Sequence, residues 1–386
     1  MRLASIVCLA AAGSLLATPL AAACDTANEF RFSFASQAAQ GLAYQSSYGY
    51  IAVNGRGDAQ TFTVALAENG LSSTVVGGQI MPRISNLISG PTVQNSLMLG
   101  GTFTGRTADI TSATRIIRAT FTFPQAVRDI SITLFDMDFN NNQFRDWVHV
   151  SGSDAGGNSF TPAMVSPAGN GNGAGQPTTA VGSSVRFQQT GTAARQATGN
   201  ANSGNNSNTG TINISFAQPV TSVTISYGNA PLQSGESGTG PQAIGISGVA
   251  YCPMPLVTVS KTSAPTGGAG SFNLPGEEVI YTLTVTNSGG SPVDAASLSL
   301  TDLLPPQIDF RNAPFDGTTA LPVKLVAGAG ASLTASGVTY QQRGGAAYTY
   351  TPAAGYDPQI GGLRVVPQGE LGANATLTLQ FRARIR

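Results

Sequence analysis

Short runs of alternating apolar and polar residues recur along most of this chain. Phe30, Phe32 and Phe34 alternate with Arg31 and Ser33, and Ile130, Ile132 and Leu134 alternate with Ser131 and Thr133. Val148 and Val150 alternate with Trp147 and His149, and Val223 and Ile225 with Thr224 and Ser226. A period of two, broken by clusters of Gly, Asn and Pro, predicts strands with one buried face. Further on, Val279, Tyr281, Leu283 and Val285 alternate with Ile280, Thr282, Thr284 and Thr286. Leu377, Leu379, Phe381, Ala383 and Ile385 do the same against Thr378, Gln380, Arg382 and Arg384. After the first residues no stretch carries a period of 3.6, so the expected fold is all-β. A break at Pro253-Met254-Pro255 divides it into a jelly-roll-like sandwich over 24–253 and an immunoglobulin-like sandwich over 254–386.

The first 23 residues follow a different logic. Met1-Arg2 is a short basic start, Leu3 to Leu20 is largely apolar, and Ala21-Ala22-Ala23 supplies the small side chains that signal peptidase accepts. Pro19 near the end of that run, and the lack of a basic residue after it, argue against a membrane anchor. The mature chain carries no other segment long and apolar enough to span a bilayer. The expected address is therefore outside the cytoplasm: extracellular, at the cell surface, or in a periplasm.

Cysteine use agrees. Cys8 leaves with the signal, so the mature chain keeps Cys24 and Cys252, and two cysteines in an exported chain usually pair. A disulfide between them would join the two ends of the first domain. The alternative is acylation of Cys24, but a lipobox prefers Leu where this chain has Ala21.

Composition narrows the function. Charged residues make up 10 % of the chain, with 19 basic against 19 acidic, which gives no electrostatic grip on nucleic acid. His149 is the only histidine, which leaves little room for a Ser-His-Asp triad or a zinc site. Ala168–Gly175 and Gly199–Gly210 are rich in Gly, Asn and small residues and are expected to be mobile surface loops. The first is no phosphate cradle, because no Lys-Ser or Lys-Thr pair follows it.

Residues 256–386 carry a recognisable pattern. Thr258-Val259-Ser260-Lys261-Thr262, Pro275-Gly276-Glu277-Glu278-Val279-Ile280-Tyr281-Thr282-Leu283-Thr284-Val285-Thr286-Asn287 and Leu300-Thr301-Asp302-Leu303-Leu304-Pro305 resemble the repeat called domain of unknown function eleven. That repeat is an immunoglobulin-like module of bacterial surface proteins. Tyr348-Thr349-Tyr350-Thr351-Pro352 and Tyr356-Asp357-Pro358 resemble its proteobacterial variant. Thr133-Leu134-Phe135-Asp136-Met137-Asp138, Asp146 and Ala243–Cys252 resemble, more loosely, the exported domain that often precedes such repeats. The resemblance implies a secreted or surface, non-catalytic protein with an adhesive or matrix role, whose partner is a surface polysaccharide or a surface protein.

One cluster invites chemistry. Asp136, Asp138, Asn140 and Asn142, with Asp146 beyond, place oxygen side chains at alternate positions, and such oxygens can converge on Ca²⁺. The spacing is not that of an EF-hand, since Asn141 stands where Gly and Trp147 where Glu would be needed. A polar hairpin with Asx turns is the alternative. Trp147 is a candidate sugar-stacking platform beside that loop. A calcium-dependent carbohydrate-binding protein is thus the second functional reading. Lys261 is a candidate for an intramolecular cross-link to Asn374, assisted by Asp302 or Glu278, against the ordinary reading of an exposed lysine.

Overall fold

The structure, a computed structural model, describes residues 24, 26–140, 142–167, 185–190, 193–233, 236, 238–266, 274–327 and 330–386. The signal-like segment and residues 168–175 lie outside them. The fold is all-β, and the chain divides into two compact units, Ala23–Met254 and Pro255–Arg386.

The principal strands of the first unit are β1 (Phe30–Ser33), β2 (Ser46–Val53), β3 (Ala59–Asn69), β4 (Ser96–Phe103), β5 (Ile116–Phe135), β6 (Phe144–Ser153), β7 (Ala193–Gly199), β8 (Ile212–Ser215), β9 (Val220–Asn229) and β10 (Gln242–Pro253). The long β5 organises them. Its first half pairs antiparallel with β3 and β9, and its second half with β8 and β10. The register breaks between Thr122 and Val127, where Pro124 supplies no N–H to a ladder. One strand thereby serves two sheets, β2-β3-β5-β9-β6-β7 on one side and β1-β10-β4 with β8 on the other.

The alternating residues meet between those sheets. Phe32, Tyr50, Phe62, Phe121, Val148, Val150, Val223, Ile225, Ile132 and Leu134 all belong to one buried cluster. Its centre is aromatic, with ring centroids 4.9 Å apart for Phe32–Tyr50 and 4.7 Å for Phe123–Tyr251. Packing of this kind adds to the burial of the rings themselves. Cys24 and Cys252 are joined, with their Cα atoms 6.0 Å apart at a sequence separation of 228.

The second unit contains β11 (Val257–Pro265), β12 (Glu278–Asn287), β13 (Leu300–Leu303), β14 (Ile308–Asn312), β15 (Val323–Ala327), β16 (Val338–Gln342), β17 (Ile360–Val365) and β18 (Thr376–Ile385). One sheet runs β11-β12-β18-β14, with β15 also on β18, and the other runs β13-β17-β16. Val285 lies opposite Leu377, Leu283 opposite Leu379 and Tyr281 opposite Phe381. These rows pack on Leu363 and Val365 of the facing sheet. Asn287, the last residue of β12, is fully buried and ties three segments together. Its Nδ2 donates to the carbonyls of Ser291, Leu371 and Gly372, and its Oδ1 accepts from the amides of Leu256 and Gly289.

Candidate functional site

β5 ends at Phe135, and the next three residues carry two of the three acids. Asp136 adopts a left-handed backbone (φ 66°), a conformation that Asp and Asn tolerate better than most residues. The chain then forms a tight hairpin in which Phe139 faces Arg145 and Asn140 faces Phe144. The hairpin is as expected, but its setting is different. Asp136, Asp138 and Asp146 are buried, with Asp146 wholly inaccessible.

The cover is the segment that follows β7. The Met137 amide donates to the Gly210 carbonyl, the Phe139 amide to the Ala201 carbonyl, and the Ser203 amide to Asp138 Oδ2 at 3.0 Å. Asn205 accepts from the amides of Ser89 and Gly90 and donates to Leu87. The low-complexity stretch Gly199–Gly210, expected to be mobile, is pinned at both ends and in the middle. Its glycines serve close approach. A Cβ on Gly199 would lie 1.7 Å from the Asp138 carbonyl oxygen, and one on Gly210 2.8 Å from the Met137 nitrogen.

Beneath this cover the acids are wired to one another. The Asp138 amide donates to Asp146 Oδ2 at 2.9 Å, and the Tyr227 hydroxyl donates to Asp146 Oδ1 at 2.5 Å. The Asp146 amide in turn donates to the Asp138 carbonyl. Burial, and secondarily the charge of Asp138, pushes the Asp136 carboxyl up to about 8. Burial likewise pushes Asp138 up to about 6, against the opposing hydrogen bonds from Ser203 and Asp146. Asp146 is raised well above the ordinary range, first by burial and then by Asp138. Protonation and protein donors therefore relieve the repulsion that three neighbouring acids would otherwise suffer.

A Ca²⁺ shell needs six to eight oxygens. Asp138 Oδ2 and both oxygens of Asp146 already accept hydrogen bonds, leaving Asp136 Oδ1 buried without a partner. Asn140 is half-buried and Asn142 exposed, and among the described residues neither side chain bonds to the three acids. Asn141 lies outside the described residues. Among those residues, no group of three or more His, Cys, Asp or Glu side chains is disposed to hold a metal ion.

The other candidates are also placed. Trp147 faces away from the main core, as its alternation with Val148 implies, but it is not a platform. It is 8 % exposed, packs with Ile110, Ile116 and Ala230, and donates from Nε1 to Gln196. The expectation of an exposed stacking ring is corrected by this cover. His149 is half-buried, and burial together with Arg195 lowers its pKa. Lys261 meets Asp302, with Nζ 2.8 Å from Oδ1, and lies over the Tyr281 ring. Glu278 is committed to Arg382, Arg311 and Tyr356, and Asn374 occupies the left-handed turn before β18 (φ 57°). Lys261 and Asp302 thus form an ion pair between the two sheets of the second unit.

Sequence reasoning missed a second polar assembly at the hairpin. Arg145 is buried against Glu236, donates to the Gly199 carbonyl at 2.6 Å, and stacks 3.9 Å over the Phe139 ring. Arg106 donates to Asn229 Oδ1 at 2.6 Å beside it. An Arg and a Glu 91 residues apart give no local signal of this pairing. Among the described residues no helix is long and apolar enough to cross a membrane. No protein-family model matches the chain, and no curated protein or solved structure matches it significantly.

Proposed function

We propose that this chain is an exported, non-catalytic protein of the bacterial surface or extracellular matrix, with an adhesive or structural role. The observation that carries this reading is the disulfide from Cys24, which begins where a signal-like segment ends. Such a bond persists in oxidising compartments and clamps the ends of the first unit. The resemblance of residues 256–386 to an immunoglobulin-like surface repeat supports the same address, with a jelly-roll-like sandwich before it. A non-catalytic role is supported by the placement of the perturbed groups. Asp136, Asp138 and Asp146 are sealed under the 199–211 segment and act as a buried hub, and Asp302, the other carboxyl with a raised pKa, is held by Lys261.

Carbohydrate binding is the form of adhesion favoured here, and it is expected not to draw on calcium, because Asp138 and Asp146 are held by protein donors. A glycan array run with millimolar Ca²⁺ and again with chelator tests both parts. Binding that is equal in the two conditions is expected. Binding that vanishes with chelator would restore the calcium-dependent reading, and turnover of any glycan would overturn the non-catalytic one.

A further inference from the structure

One outer face of the second unit is built around arginine. On β18, Phe381 and Ala383 turn into the core, so Arg382 and Arg384 stand on the opposite side, and Arg386 follows them. The register places Arg384 between Asp309 of β14 and Glu278 of β12. Glu278 receives two guanidiniums, Arg382 at 3.0 Å and Arg311 at 3.4 Å. Asp309 receives another two, Arg386 at 2.7 Å and Arg384 at 3.3 Å. Lys324, opposite Gln380 of β18, pairs one to one with Asp316, and Glu277 turns back to the Leu274 amide. Five cations thus stand over three acids in this network, a surplus of two among these side chains. Depth separates the two signs. The side chains of Asp309 and Glu278 are 8 % and 19 % exposed, those of Arg384 and Arg386 40 % and 41 %. The surface that meets solvent is therefore cationic, with its acids beneath. Rings hold the guanidinium planes: Arg384 lies 4.3 Å over Tyr356, whose hydroxyl donates to Glu278, and Arg382 lies 4.8 Å over Phe315.

We propose that this face docks an acidic polysaccharide through its carboxylates, which names the ligand class of the adhesive reading and rests on it. A network that served stability alone would match its charges one to one, because like charges side by side cost free energy and exposed pairs return little. Here two guanidiniums crowd each carboxylate, and an arriving carboxylate relieves the crowding. Charge complementarity therefore selects an anionic occupant. The donors select the form of that anion. A guanidinium carries five N–H donors and takes a carboxylate through two of them at once. Arg384 and Arg311 meet their acids at 3.3 and 3.4 Å, beyond the about 2.7–2.9 Å of a tight charge-assisted bond, so both keep donors for a ligand.

Nucleic acid, the other common polyanion, fits this face less well. Proteins that hold single strands stack bases on open aromatic rings, whereas Tyr356 and Phe315 each already carry an arginine. A duplex binder gains its affinity by neutralising many phosphates, about six to ten in a typical case, and a surplus of two cations on one sheet falls short of that. Weak, local pairing suits a polymer that repeats its carboxylate along the chain, because the next sugar is always at hand when one lets go.

The test is retention of the full mature chain on immobilised polygalacturonate, on the same polymer fully methyl-esterified, and on duplex DNA, with chelator, at low and at high salt. Retention on polygalacturonate at low salt is expected, and it weakens at high salt because exposed charges are then screened. None is expected on the methyl ester, which keeps the sugar chain and loses the charge. R311Q/R384Q cancels the surplus, leaves one arginine on each acid, and is expected to weaken retention about tenfold or more. D316N frees Lys324 and is expected to strengthen retention several-fold, a gain that misfolding does not imitate. No retention on polygalacturonate, equal retention on the ester, or parental retention by either variant would overturn the proposal. So would stronger retention on DNA, which would assign the face to nucleic acid. A native protein found in the cytoplasm would refute the surface reading and leave this binding measurement unaffected.

Discussion

Replacing Asp136 by Asn tests the hub directly. In the folded chain this carboxyl titrates near 8, against an ordinary value of 3.8, because burial and Asp138 disfavour its charged form. A folded pKa above the unfolded one means that the native state holds the proton more tightly. Its contribution is fully present below pH 3.8 and is lost as pH rises towards 8. Between pH 5 and pH 8 that amounts to about 3–4 kcal/mol, at about 1.36 kcal/mol per unit. Asparagine keeps the shape and accepts the left-handed backbone, but it does not titrate. The variant is therefore expected to lose most of this slope and to be more stable than the parent at pH 8. Urea unfolding at the two pH values, in chelator, gives the answer. The chain has a single tryptophan, Trp147, in the first unit, so its fluorescence reports that unit. Equal stability of the parent at pH 5 and pH 8, or the same slope in the variant, would refute the hub.

Reduction of the Cys24–Cys252 bond is expected to lower the stability of the first unit by roughly 5 kcal/mol on the chain-entropy account, read as a lower urea midpoint in reductant and in C24S/C252S. Gly199→Ala is expected to cost about 3 kcal/mol, because its Cβ would collide with the Asp138 carbonyl, and faster hydrogen exchange at the Ser203 amide would locate the damage. Asn287→Ala strands the amides of Leu256 and Gly289 and is expected to cost the second unit about 3 kcal/mol or more, measured by its thermal melt. Residues 255–386 expressed alone are expected to melt cooperatively, since they hold their own core; a gradual transition would contradict that boundary.

The strands were legible because burial and alternation are the same physical fact: Val148, Val150, Val223 and Ile225 face one core and their polar neighbours do not. The acids of the hairpin were legible as a cluster, but their burial was not. It comes from Ala201, Ser203 and Gly210, far along the chain in a stretch whose composition suggests motion. There glycine signals backbone contact with Asp138 and Met137 rather than freedom. Trp147 failed as a platform for a similar reason, because Ile110 and Ala230, which cover it, come from distant segments. Lys261 was read as a cross-linking candidate or an exposed lysine; that it pairs with Asp302 depends on how two sheets face, which strand periodicity does not encode.

The central claim is the address, and one measurement tests it most directly. Intact cells making the native protein are treated with protease, fractionated, and the surviving and released chains sequenced from their N-termini. The account expects the untreated mature chain to begin at Cys24 with both cysteines oxidised, and the intact-cell treatment to remove it. A chain protected in the cytoplasm, with residues 1–23 attached and its cysteines reduced, would contradict it.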